Sequence, residues 1–148
     1  MTTSPIKALK TLGNIVGWNL TNLQIQKTLY LINLFYLGRT GKILINEDFE
    51  AWDYGPVLPS LYKEVNFFGS DPIFDIFKDI KPLKKDEEGY NIIKELGEKL
   101  SGMIASQLVS ITHNKQGAWA IHYCPFSRGN KISKDSILKE YKALYVKK

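Results

Sequence analysis

Between Leu29 and Leu37 every residue except Asn33 is apolar or aromatic, and that run limits the fold more than any other feature of the chain. A helix that is greasy nearly all round has no face to give to water, so other elements must surround it. Thr21 and Gln24 stand at capping-box spacing ahead of the run and mark where the helix starts. Gly38 supplies the left-handed residue that ends it. The rest of the chain therefore has to wrap a central helix.

The flanking segments read as that wrapping. Ser4 before Pro5 is an N-cap followed by proline at the first helical position, and Ile6, Leu9, Leu12 and Val16 form an apolar stripe ending by Gly17. Trp18, in the connection, is a packing anchor for the next element. After the central helix, Gly41 to Ile45 is a short strand, Asn46-Glu47-Asp48 is turn chemistry, and Phe49 to Asp53 is the return strand. The spacing thus predicts one antiparallel hairpin near residues 42–54, which must lay a face on the helices to be stable. Phe49, Ala51 and Asp53 share one side of it, with Glu50, Trp52 and Tyr54 on the other.

Gly55 then permits a turn, and Pro56 and Pro59 pre-set the start of a helix carrying Leu58, Leu61, Tyr62 and Val65 on one face. Phe67, Phe68 and Gly69 close that helix. A Ser70-Asp71-Pro72 loop leads into Ile73, Phe74, Ile76, Phe77 and Ile80, read as one or two helical turns, and Lys81-Pro82 breaks them. A charged exposed stretch follows. From Asp86 a helix carries Ile92, Ile93, Leu96 and Leu100, with an interruption near Gly97 to Gly102. The next carries Ile104, Leu108 and Ile111, runs into Thr112-His113 and leaves Trp119 in a loop. Ser133 caps a last helix with Ile137, Tyr141 and Leu144 inward. The fold class expected is α+β and predominantly α-helical, a single domain over residues 1–148 with one small antiparallel hairpin.

Composition matters for what it excludes. The 148 residues include three Trp, eight Tyr and seven Phe, enough for one core without a covalent staple. A lone cysteine, Cys124, forms no internal disulfide and favours a reducing, cytoplasmic setting. No basic segment with a following apolar run opens the chain and no 18-residue apolar stretch occurs, which argues against export and membrane spanning. The net charge of +5 is too small to imply a nucleic acid, and lysines 131, 134, 139, 142, 147 and 148 have the spacing of a solvated face.

Catalytic and metal signatures fail in turn. There is no P-loop, dinucleotide glycine run, nucleophile elbow or zincin helix. His113 and Cys124 could be drawn as base and nucleophile, but a cysteine beside proline with no supporting group reads as structural. His122 and Cys124 have no ligand spacing, so neither metal nor cofactor is expected. Glu47, Asp48, Glu50 and Asp53 are numerous, yet no histidine lies near them in sequence and they read as a solvated acidic tip. The aromatic and proline residues from Phe49 to Tyr62 read first as a core corner.

That corner also carries a family signature. Glu50-Ala51-Trp52, then Gly55-Pro56-Val57, Pro59 and Tyr62, resembles the signature of the Panacea domain, the SocA-like family also called GepA-like. The segment Leu23 to Tyr30 resembles the family's first motif, a leucine-glutamine-lysine-leucine-tyrosine run on a helix, with Thr28 as a departure. Lys27 within it either snorkels to water or pairs with Asp53 or Glu50. The leucine-rich helix ending in Thr112-His113, with Trp119 six residues on, resembles the third motif. His113 would either cap carbonyls or be held protonated by the helix dipole.

The resemblance implies an antitoxin, a protein that neutralises a cognate protein toxin by binding it. Family toxins are diverse and include alarmone-synthetase-like enzymes, so the toxin is not named by its antitoxin. An adaptor role, delivering the toxin to a protease, is the first alternative, and a DNA-binding autorepressor is the second. Against the latter, no helix-turn-helix with a basic recognition helix is evident. Asp53, Tyr54, Pro56, Tyr62, His113 and Trp119 are the candidate toxin-binding residues, provided the three motifs meet in space.

Overall fold

The structure, a computed structural model, describes residues 2–146. Its elements in chain order are α1 (Pro5–Val16), α2 (Asn22–Thr40), β1 (Glu50–Trp52), β2 (Gly55–Val57), α3 (Pro59–Val65), a 3₁₀ turn (Asn66–Phe68), α4 (Tyr90–Leu100), α5 (Ala105–Thr112), α6 (Ala118–His122) and α7 (Lys134–Leu144). The greasy run is central: Leu29, Tyr30, Ile32, Leu34 and Leu37 have no exposed surface, and α2 touches α1, α4, α5, α7 and β2.

Both ends of α2 follow from local chemistry. Thr21 and Gln24 form the reciprocal capping box. The C-terminus lies three residues beyond the expected one, at left-handed Gly41. Gly38 has another use, since a Cβ there would come within 2.3 Å of the Tyr141 ring, so this glycine lets α7 close on α2. Asn33 earns its buried place by accepting the Leu44 and Ile45 amides at 3.0 and 3.1 Å, a use for a polar group in an apolar helix.

Those two hydrogen bonds bear on a correction. Residues 42–45 do not pair with 49–53. Their backbone instead meets the N-terminal segment, with Thr3 bridging Ile45 in parallel. The hairpin is β1 with β2, in the register Glu50 with Val57, Ala51 with Pro56 and Trp52 with Gly55. Pro56 therefore sits in a strand rather than at a helix start. It is tolerated because the two-stranded sheet has an open edge for a residue with no N–H. Pro59 alone opens α3.

Three smaller expectations also change. Residues 73–80 form no helix; Ile73 and Phe77 simply plug into the core while Phe74 and Ile76 face outward. Trp119 lies in the five-residue α6 rather than a loop. The helix expected from Asp86 starts at Tyr90, after Gly89. Lysines 131, 134, 139 and 142 are exposed as expected, whereas 147 and 148 lie outside the described residues. Among the described residues no helix is long and apolar enough to cross a membrane.

Candidate functional site

The shift of the hairpin turns Asp53 and Tyr54 into its two-residue tip. A two-residue tip needs positive φ nearby, and Gly55 supplies it at +119°. Gly55 is also the point of closest approach to α2. A Cβ there would lie 2.8 Å from Lys27 Cε and 3.2 Å from Thr112 Oγ1.

Two elements hold the hairpin from beneath. From α2, Gln26 accepts the Leu58 amide at 2.8 Å and Lys27 Nζ donates to the Pro56 carbonyl at 3.0 Å. Lys27 neither snorkels nor pairs with a carboxylate; it is completely buried. Burial disfavours its charge and brings its pKa down to about 7. From the C-terminal side, His113, Trp119 and Tyr123 form a parallel stack, with ring centroids 3.7 Å and then 4.6 Å apart. Trp119 Nε1 donates to the Trp52 carbonyl at 2.6 Å, and the Tyr123 hydroxyl donates to Asp53 Oδ1 at 2.6 Å. The tip is thus tied on both of its flanks.

His113 is the C-cap of α5, where the dipole favours a cation. Desolvation by burial lowers its pKa, against a hydrogen bond with the Tyr54 backbone that raises it. Behind the stack, α7 contributes Glu140. That fully buried carboxylate accepts the Tyr30 hydroxyl at 2.7 Å and the Ala118 amide at 2.8 Å, anchoring the start of α6.

The outer face of the hairpin is different in character. Tyr54 is 69% exposed. Trp52 and Tyr62 meet edge to face at 4.9 Å, and the Arg128 guanidinium lies 4.1 Å over the Trp52 ring. A pocket of about 340 Å³ opens among Leu23, Trp52, Tyr54, Val57, Tyr62 and Arg128, with Asp53 and Lys27 also bordering it. Its size and apolar walls suit a side chain or small ligand.

The structure therefore brings all six candidates into one region, on opposite sides of the tip. Asp53, Tyr54 and Tyr62 border the pocket, whereas His113 and Trp119 lie behind the turn and Pro56 contributes its carbonyl to Lys27. Sequence reasoning does not single out Gln26, Tyr123 or Arg128. Gln26 stands beside Lys27 in the first motif, and that adjacency is a signal for it. Arg128 is one basic residue in a loop, with no pattern to mark it.

The acidic residues near the hairpin are each engaged separately. Glu47 accepts the Ser60 amide at 3.1 Å at the start of α3, and Glu50 accepts Trp52 Nε1 at 2.9 Å. Among the described residues no three His, Cys, Asp or Glu side chains gather as metal donors. Cys124 is exposed, with its thiol directed at the Pro125 carbonyl. What the arrangement offers is a braced turn that presents aromatic and guanidinium groups to solvent.

A sequence profile described as Antitoxin SocA-like, Panacea domain, matches residues 25–120, a span that contains the second and third motifs and all but the first two residues of the first. The chain is also similar to Antitoxin SocA of Caulobacter vibrioides (strain NA1000 / CB15N), 33% identical over 112 residues. That alignment covers 69% of this chain and 59% of the relative, so the chain spans under two thirds of the relative's length. No solved structure matches.

Proposed function

This chain belongs to the SocA-like antitoxin family through its Panacea domain, and from that premise we propose that it neutralises a cognate protein toxin by binding it directly. The antitoxin role comes from the family. The direct contact is supported by one observation: Tyr54 is 69% exposed at the tip of a turn that Lys27, Trp119 and Tyr123 hold rigid from behind. A turn whose backbone is already braced loses little entropy when the aromatic side chain it carries docks. The fold itself gains nothing from leaving a tyrosine outside, so the bracing makes sense as preorganisation.

The binding face in this reading comprises Asp53, Tyr54, Tyr62 and the Trp52–Arg128 stack, with His113, Trp119 and Pro56 as its support. This division sharpens what mutation should do. Tyr54→Ala removes an exposed side chain and leaves the core intact, so the variant folds and melts within about 0.5 kcal/mol of the parent. Co-expressed with a candidate toxin from a neighbouring open reading frame, it should lose most of the growth rescue that the unmodified protein gives. Full rescue by a folded Tyr54→Ala protein would move the interface elsewhere. Failure of the unmodified protein to bind or rescue would remove the antitoxin reading for that toxin.

A further inference from the structure

We propose that the pocket beneath Tyr54 reads a carboxylate on the bound protein, with Arg128 as its receptor and Trp52 and Tyr62 taking the apolar side chain next to that carboxylate. The inference rests on the preceding reading that this face meets the toxin, and it adds the chemistry of the segment that docks.

The first support is the state of Arg128. Its guanidinium is held over Trp52 at 4.1 Å and near Tyr62 at 5.9 Å. Stacking on a ring face uses none of the N–H donors, and it orients the plane so that the donor edge is available. Among the described residues its guanidinium has no ion pair and no hydrogen bond. An arginine that is positioned but unpaired is what bidentate recognition of a carboxylate requires.

The second support is the charge balance at the pocket. Lys27 and Arg128 both border it, and neither has a carboxylate partner. Asp53 also borders the pocket and keeps its charge, but its carboxylate accepts from the Tyr123 hydroxyl and that of Glu50 from the Trp52 indole, and neither forms an ion pair with Arg128. Lys27 is sealed below the hairpin, where burial disfavours its charge, so Arg128 is the cation that an occupant meets. The complement of this surface is a group that is anionic at one end.

The third support concerns the size of the occupant. The walls are mainly apolar and the volume is about 340 Å³, more than a bare carboxylate needs. Tyr54, largely exposed, stands at the opening and extends the apolar contact past the pocket. A small anion would leave that rim unused, whereas a chain segment with an acidic residue beside an aromatic or aliphatic one would cover it.

The test uses the full chain, labelled with nitrogen-15, and capped dipeptides as probes: acetyl-Asp-Phe-amide and acetyl-Glu-Leu-amide, each against its Asn or Gln counterpart. The acidic members should bind at least ten-fold more tightly than the amides, with the largest shifts at the Trp52 indole and the Arg128 side chain. Arg128→Gln, an exposed substitution that leaves the fold intact, should abolish the preference. Equal binding of acid and amide, a preference that survives Arg128→Gln, or no binding of any probe would each overturn the proposal. Growth rescue separates the two readings. An unmodified protein that prefers the acidic probe yet fails to bind or rescue from its toxin contradicts the antitoxin reading, and one that rescues without any acid preference contradicts only this one.

Discussion

Lys27 is the residue whose environment departs furthest from what its chemistry prefers. It has no exposed surface, one carbonyl acceptor and a pKa of about 7 in place of 10.5. Between those two values the unfolded chain holds a proton that the native chain does not. Stability therefore rises with pH over that window and falls as pH drops through about 7, at up to about 1.4 kcal/mol per pH unit. Lys27→Met should flatten this slope in denaturant melts taken from pH 7 to 10, and an unchanged slope would mean that the amine is not buried as described. Glu140 has the opposite sign. Desolvation raises its pKa, so the native state keeps the proton longer than the unfolded chain, and this group's contribution declines as pH rises from 4.5 toward its folded value. Glu140→Gln retains the carbonyl acceptor for Tyr30 and Ala118 and should be tolerated at neutral pH. Glu140→Ala strands both donors in the core, at about 1–3 kcal/mol each, measurable as a lower melting temperature than that of the Gln variant.

At the scale of elements, the ends of helices are the most legible part of the chain and the pairing of strands the least. Ser4, Thr21 and Ser133 cap α1, α2 and α7 through hydrogen bonds within three residues of sequence, and such local chemistry can be read directly. Sequence spacing places the hairpin one strand too early because 42–45 and 55–57 are both short apolar runs on either side of the same acidic segment. What decides between them is long-range. Asn33 claims the amides of Leu44 and Ile45, while Gln26 and Lys27 claim Leu58 and Pro56. Pro56 further obscures the pattern, as proline argues against a strand unless an open edge is available. The tip depends on Gly55 for its positive φ and for the space beside Lys27. Gly55→Ala should cost about 1–3 kcal/mol from backbone strain alone, and a variant as stable as the parent in urea would show that the tip can adopt another geometry.

For the molecule as a whole, the three motifs meet because one hairpin needs all of them. The first motif lies under β2, the second is the hairpin itself, and the third stacks behind the tip. Motif spacing alone does not dictate this convergence, since distance along the chain carries no information on which faces meet. Arg128 is out of reach of sequence reasoning for a further reason: its role depends on lying over Trp52, and it stands beyond the residues that the family profile covers. Together these contacts divide the region into a buried brace and an exposed face, and the central claim is that the exposed face binds the toxin. Hydrogen–deuterium exchange on the complex with a toxin that this protein neutralises tests it most directly. The account predicts new protection at residues 52–54 and around Arg128, with the surface formed by α4 unchanged. Protection confined to α4 or to residues 73–88, with the hairpin tip exchanging as in the free protein, would contradict it.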